Sequence, residues 1–442
     1  MRIEMGRRST LGLLATGAMG RRAAAAEEGP ITIGFAEALT GSLAAVGKSG
    51  ILAMQIWAED INAKGGLLGR TVKLVFYDNQ SNPANVPGLY VKLLDVDHVD
   101  LVLSGYATNM AAPAMPIVIP HNKLYLSLFS LAINAEFHYP RCFAMIATGP
   151  DPKIAFSRGF FEIAASLTPK PQTLAIVGAD AEFARNATDG ARQNAAAAGL
   201  KIVYDKAYPP TTTDYAPVLR AVRATNPEVI FVASYPADTA GILRAAAEMG
   251  LTARMFGGSL VGLQTAALKT QLGPLMNGVV LGEQWVPTPA LQYPGVMDFL
   301  EVYRSRAAVE GVDPLGVFLP PFAYARMQVL QQAVTGAGSL DDDKLADYLR
   351  THTFKTIVGE ITYGKDGEWA EPRLVWTQFR GIKGTDLAQF ENPAIEAVLL
   401  PKFAKSADLM EPFVAGHKPA SGLRAIGTKI VFDSARIGTI RS

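Results

Sequence analysis

Residues 49–78 read SGILAMQIWAEDINAKGGLLGRTVKLVFYD, and this stretch holds the fold in miniature. From Ser49 to Ala63 the apolar residues recur at helical spacing, with Ile51, Met54, Ala58 and Ile61 along one face. Gly65 and Gly66 end that helix. Val72 to Tyr77 then alternates as a strand and stops at Asp78, while Ile31-Thr32-Ile33-Gly34-Phe35 upstream reads as another strand. Strand, helix, strand, with short joins, is the unit from which parallel sheets are built.

The rhythm continues outward. Pro83 to Val96 reads as a helix and Asp100 to Ser104 as a strand, and further strands are predicted at Leu124–Ser127, Thr173–Gly178, Lys201–Tyr204, Val229–Ala233 and Val279–Gly282. Helices such as Tyr215–Ala224 and Thr239–Met249 fall between them. Val229-Ile230-Phe231-Val232 is apolar without alternation, as a strand covered on both faces must be. The chain of 442 residues exceeds what a single core serves, so at least two domains are expected. Thr148-Gly149-Pro150-Asp151-Pro152 breaks the series in two, with further candidate crossings at Gln284-Trp285-Val286-Pro287 and near Thr353 to Val358. Beyond Pro401 the periodicity is weak and no structure is assigned.

Composition narrows the function. With 41 basic and 40 acidic residues, nothing draws nucleic acid or an anionic membrane surface. A single cysteine, Cys142 within Cys142-Phe143-Ala144-Met145-Ile146, rules out a disulfide within the chain and any site needing two thiolates. Residues 1–26 read as an export signal: Arg7-Arg8, an apolar body from Leu11 to Met19, then Ala23 to Ala26. Gly6-Arg7-Arg8-Ser9-Thr10-Leu11 resembles a twin-arginine signal. No cysteine follows the apolar body to carry a lipid.

Catalytic signatures are missing. His98, His121, His138, His352 and His417 lie outside helical or finger spacing of one another, so no zinc motif can be written. Gly258-Ser259-Leu260-Val261-Gly262 puts its serine one position too early for a nucleophile elbow, and Gly65-Gly66-Leu67-Leu68-Gly69 lacks the lysine of a phosphate loop. Neither metal nor cofactor is expected, and an enzyme is the disfavoured reading.

Several runs together resemble a known family. Ile31 to Phe35, Leu39-Thr40-Gly41 and Gly47 lead into Ala58-Glu59-Asp60-Ile61-Asn62-Ala63-Lys64-Gly65-Gly66-Leu67-Leu68-Gly69, with Asp78 and Pro83 beyond. Thr213-Asp214-Tyr215 and Gly241 to Gly250 follow further on. Their order and spacing over about residues 31 to 385 resemble the periplasmic leucine/isoleucine/valine-binding proteins, the type 1 solute receptors of ABC importers. The resemblance implies two doubly wound parallel-sheet lobes joined by three crossings, with ligand held in the cleft between them. Lobe 1 would hold 31–147 and 284–352, lobe 2 would hold 148–283 and 353–386, and 387–442 would be an extension without assigned structure. The third crossing would follow His352. It also implies periplasmic residence, a monomer and an inner-membrane ABC permease as partner.

Carried over residue by residue, the resemblance gives Thr108 and Ser130 to a ligand carboxylate, although a helix cap and a serine turn would use the same residue types. Phe183 and Tyr235 match positions that carry aromatics against the ligand, and Tyr106, Phe129 and Trp285 offer further aromatic walls. Ser259 falls where amino acid-binding members place the acid that pairs with the ligand ammonium. A desolvated ammonium without a partner charge costs several kcal/mol. Val46 likewise replaces an expected aromatic. The favoured ligand is therefore a small aromatic or aliphatic carboxylate lacking an α-amino group. The alternatives are an amino acid receptor, with an acid such as Glu283 reaching the ammonium, and a periplasmic ligand-sensing regulator.

Overall fold

The computed structural model describes residues 29–416. The export-signal reading therefore lies outside the described residues. Strands β1 (Ile31–Glu37), β2 (Val72–Asp78), β3 (Leu101–Tyr106), β4 (Tyr125–Leu128) and β5 (Cys142–Met145) form a parallel sheet in the order β2-β1-β3-β4-β5. A second sheet is built from β6 (Thr173–Ala179), β7 (Lys201–Tyr208), β8 (Val229–Ser234), β10 (Met255–Leu260) and β11 (Val280–Glu283), with the two-residue β9 (Thr252–Ala253) beside it. Its parallel part runs β7-β6-β8-β10-β11, the same winding as the first sheet. In such sheets the direction of winding reverses between the first and third strands, and the crevice beyond their carboxyl ends is where ligands sit.

The opening stretch behaves as its pattern demands. The helix begins five residues before its predicted start, at Ala44, and ends at Ala63. Gly66 then takes φ +77, and a Cβ there would lie 1.8 Å from the Arg70 carbonyl oxygen. The helix packs against the helix Leu319–Ala337, where the Trp57 Nε1–H donates to Gln331 Oε1 at 3.0 Å. Trp57 is wholly covered, and burying a side chain of that kind contributes roughly 1.5–3 kcal/mol. Pro83 to Val96, expected as one helix, is instead a 3-10 turn, a short α-helix (Val86–Val91) and a π-turn (Lys92–Val96).

The chain passes between the sheets three times. It leaves the first after β5 and returns after β11, with Ala147 N–H donating to Gln284 Oε1 at 3.0 Å to tie those two segments together. The third passage corrects the sequence reading. After His352 the chain stays with the first sheet: strands β12 (Phe354–Thr356) and β13 (Gly359–Ile361) form a hairpin beside the helix Leu319–Ala337. Ala144 N–H then donates to the Gly367 carbonyl at 2.8 Å, and Trp369 Nε1–H to the Ala144 carbonyl at 2.9 Å. Passage falls near Arg373, whose N–H donates to the Ala147 carbonyl at 2.9 Å. The exposed edge of β5 needs covering, and this segment supplies hydrogen bonds to it.

The carboxyl-terminal part also has a place. Strands β14 (Val375–Phe379) and β15 (Glu396–Leu400) join the second sheet antiparallel, at the β11 edge. Strand β16 (Phe413–Val414) pairs with β9, and Phe413 stacks on Phe256 with ring centroids 4.6 Å apart. Residues 387–416 are thus part of the second lobe and not a separate extension. Among the described residues no helix is long and apolar enough to cross a membrane.

Candidate functional site

The carboxyl ends of β3 and β8, the turns after β4 and β10, and the crossings meet around one cavity. Tyr106, Thr108, Phe129, Phe183, Tyr235 and Ser259, six of the residues selected from sequence, all line it. Ser130 does not: it is wholly buried behind Phe129, and its hydroxyl faces the Leu128 carbonyl at 3.4 Å. Phe129 takes φ +49, which turns its own ring toward the cavity, where it packs on Phe318 at 5.2 Å between centroids. Trp285 is also outside this cavity. Its Nε1–H donates to the Leu291 carbonyl at 2.7 Å, and it walls a second space on the other side of the crossing. Val46 is buried and not among the lining residues.

Thr108 does not cap its short helix by its side chain. Its Oγ1 accepts the Leu131 N–H at 2.8 Å, which leaves the hydroxyl proton free to donate. The Leu131 carbonyl in turn accepts from Asn186 Nδ2 at 2.9 Å, a bond that joins the two lobes beside the cavity. Behind this corner, the Glu37 carboxylate accepts the Tyr106 N–H at 3.0 Å and the Ala38 N–H at 2.9 Å. Burial pushes Glu37 up to about 7, against the pull of those N–H groups and the Arg326 guanidinium. Ala107, between Tyr106 and Thr108, is held at φ +80, a costly conformation for a residue with a Cβ that these flanking bonds support.

On the opposite wall, Ser259 closes β10. This strand was not predicted because Gly257 and Gly258 interrupt its pattern. A Cβ at Gly258, at φ +124, would meet the Phe231 ring at 2.8 Å, so the sheet admits only glycine there. Ser259 Oγ is buried with no hydrogen-bond partner. The Tyr235 hydroxyl is buried without a hydrogen-bond partner, and its ring packs edge-on to Phe183 at 5.8 Å between centroids. Burial raises the Tyr106 and Tyr235 phenols, so both remain neutral hydroxyls.

Sequence reasoning missed Leu43, Ile146, Phe156, Phe318, Gln264 and Gln284, all of which line the cavity. The last had a usable signal. Along β11 and its continuation, Gly282 and Gln284 share one face while Glu283 and Trp285 share the other. Glu283 therefore points away from the cavity, toward Lys269 and Glu396. Burial and the neighbouring Glu396 carboxylate raise its own carboxyl well above the usual range. Lys269 pairs with Glu396 at 2.9 Å. Among the described residues no Asp, Glu, Lys, Arg or His lines the cavity, and no group of acidic, histidine or cysteine side chains is placed to hold a metal ion.

Comparison with known proteins fits this geometry. The sequence model of the periplasmic binding proteins matches residues 30–380. An amino acid binding protein of Pseudomonas aeruginosa is 25% identical over 348 residues, covering 76% of this chain and 87% of its own. The Leu/Ile/Val-binding protein of Escherichia coli K12 is 22% identical over 341 residues, covering 76% and 88%. Two crystal structures share the fold. A solute binding protein of an ABC transporter from Rhodopseudomonas palustris, in complex with 3,4-dihydroxy benzoic acid, gives a TM-score of 0.68 at 17% identity, over 89% of this chain and 99% of that one. A second R. palustris solute binding protein, in complex with benzoate, gives 0.68 at 15% identity, over 84% and 96%.

Proposed function

The chain belongs to the periplasmic binding protein family, and on that premise we propose that it captures a small carboxylate without an α-amino group for an ABC importer. One observation carries the reading: the cavity is walled by aromatic rings, hydroxyls and two amides, with no ionised side chain. An amino acid would leave its ammonium there without a counter-charge, at a cost of several kcal/mol. A carboxylate needs only donors, and Thr108 supplies a free one. The ring-lined walls suit an aromatic or branched aliphatic body. Benzoate and dihydroxybenzoate complexes of the two R. palustris proteins support that choice of chemistry. The protein works in the periplasm as a monomer, delivering solute to an inner-membrane permease.

The names of the sequence relatives favour a second reading, an amino acid receptor. A thermal-shift screen separates the two. Benzoate, 3-phenylpropionate and 4-methylpentanoate should each raise the melting temperature. If only amino acids do so, the second reading replaces the first.

A further inference from the structure

Both glutamines of the cavity are fixed at one end. Gln264 Oε1 accepts the Gly262 N–H at 2.9 Å, and Gln284 Oε1 accepts the Ala147 N–H at 3.0 Å. Flipping either amide would set its N–H₂ against a backbone N–H, donor against donor, so the orientation is locked. Each side chain therefore turns its N–H₂ away from the backbone it grips. Gln284 Nε2 has no hydrogen-bond partner among the described residues, and it stands at the crossing, where Gly282 and Ile146 also face the cavity. The Gln264 side chain lines both this cavity and the neighbouring space that holds Glu283, whose Oε1 is buried without a hydrogen-bond partner. Beside them the Ser259 hydroxyl is buried and unpartnered. Thus the second-lobe and hinge wall presents donors whose own acceptors are already used.

We propose that Gln264 and Gln284 are specificity-determining residues whose N–H₂ groups read a second oxygen acceptor on the ligand, so that the solute is an oxygen-bearing carboxylate, such as an oxo acid, in preference to a plain hydrocarbon acid. This rests on the carboxylate reading above. A donor to which the protein offers no acceptor loses its water when a ligand covers it, and a ligand carbonyl replaces that bond where a methyl or methylene cannot. Exchanging water for one such hydrogen bond is worth about threefold to tenfold in affinity.

Calorimetry at pH 8 with two shape-matched pairs tests it: 4-methyl-2-oxopentanoate against 4-methylpentanoate, and 4-acetylbenzoate against 4-isopropylbenzoate. The pairs place the carbonyl near to and far from the carboxylate. The oxo member of at least one pair should bind about threefold to tenfold tighter. Gln264→Glu or Gln284→Glu keeps the acceptor for its backbone N–H but replaces the N–H₂ with oxygen. At least one of these changes should bring that ratio to one or below. Taking the ratio cancels any general repulsion of carboxylates, and Gln264→Met and Gln284→Met serve if an acid unfolds the protein. A hydrocarbon acid that binds as tightly as its oxo partner in both pairs overturns the inference and leaves the carboxylate reading standing. A preference that survives in every variant overturns the role of the glutamines. If none of the four acids binds, the inference falls together with the reading beneath it.

Discussion

Thr108→Val removes one hydroxyl from a wholly buried residue and keeps its shape. Two effects follow from the geometry, and they can be measured separately. In the free protein the Leu131 N–H, bonded to Thr108 Oγ1 at 2.8 Å, loses its acceptor, and an unpaired buried donor costs about 1–3 kcal/mol of stability. In the complex the ligand carboxylate loses a charge-assisted bond worth about 1.5–3 kcal/mol, roughly tenfold to a hundredfold in affinity. Thr108→Ser keeps the hydroxyl and should restore most of both. Urea unfolding reads the first effect and calorimetry with benzoate the second. Benzamide, of similar shape but neutral, should lose only about half as much binding free energy, because neutral hydrogen bonds are about half as strong. If Thr108→Val loses stability but binds benzoate within twofold of wild type, the hydroxyl serves Leu131 alone and its ligand role is refuted. Equal losses for benzoate and benzamide would mean that the site has deformed and that no charge is recognised there.

Ser259→Glu should give the cavity the acid it lacks, so that leucine gains affinity and benzoate loses at least tenfold, read by the same calorimetry. Lys269→Met should cost about 3–5 kcal/mol in urea unfolding, because it leaves Glu396 unpaired beside the buried Glu283. Glu368 has both carboxylate oxygens buried without partners, and burial pushes it up to about 8, from a usual 4.5. Between those values the folded state holds a proton that the unfolded state has released, so stability falls as pH rises through that window. Glu368→Gln should therefore gain on wild type from pH 5 to pH 9 by a few kcal/mol, measured as paired unfolding curves. A constant difference across that range would refute the assignment.

The parallel core was legible because buried strands and amphipathic helices write their periods into the chain. β8 is apolar throughout, and the helix ending at Ala63 carries its stripe and its glycine stop. β10 was not legible, since its glycines answer a close approach of Phe231 and Val280 that no local pattern reveals. The third crossing was misplaced for a similar reason: the hairpin from Phe354 to Ile361 is held by the helix Leu319–Ala337, and Gly367 and Trp369 are held by the edge of β5, through contacts between residues far apart in sequence. In the site, aromatic and hydroxyl residues after strand ends could be chosen by type and place. Choosing Trp285 for its ring neglected strand alternation, which assigns the cavity to Gln284 instead. Gln264 depended on how a loop folds back onto Gly262, which only the structure shows.

Calorimetry with pairs that differ only in the α-amino group tests the central claim most directly: leucine against 4-methylpentanoate, and phenylalanine against 3-phenylpropionate. A cavity without an acidic side chain should bind the plain acid of each pair at least as tightly as the amino acid. Binding confined to leucine and phenylalanine would contradict the account, because it would require a counter-charge that the cavity wall does not contain.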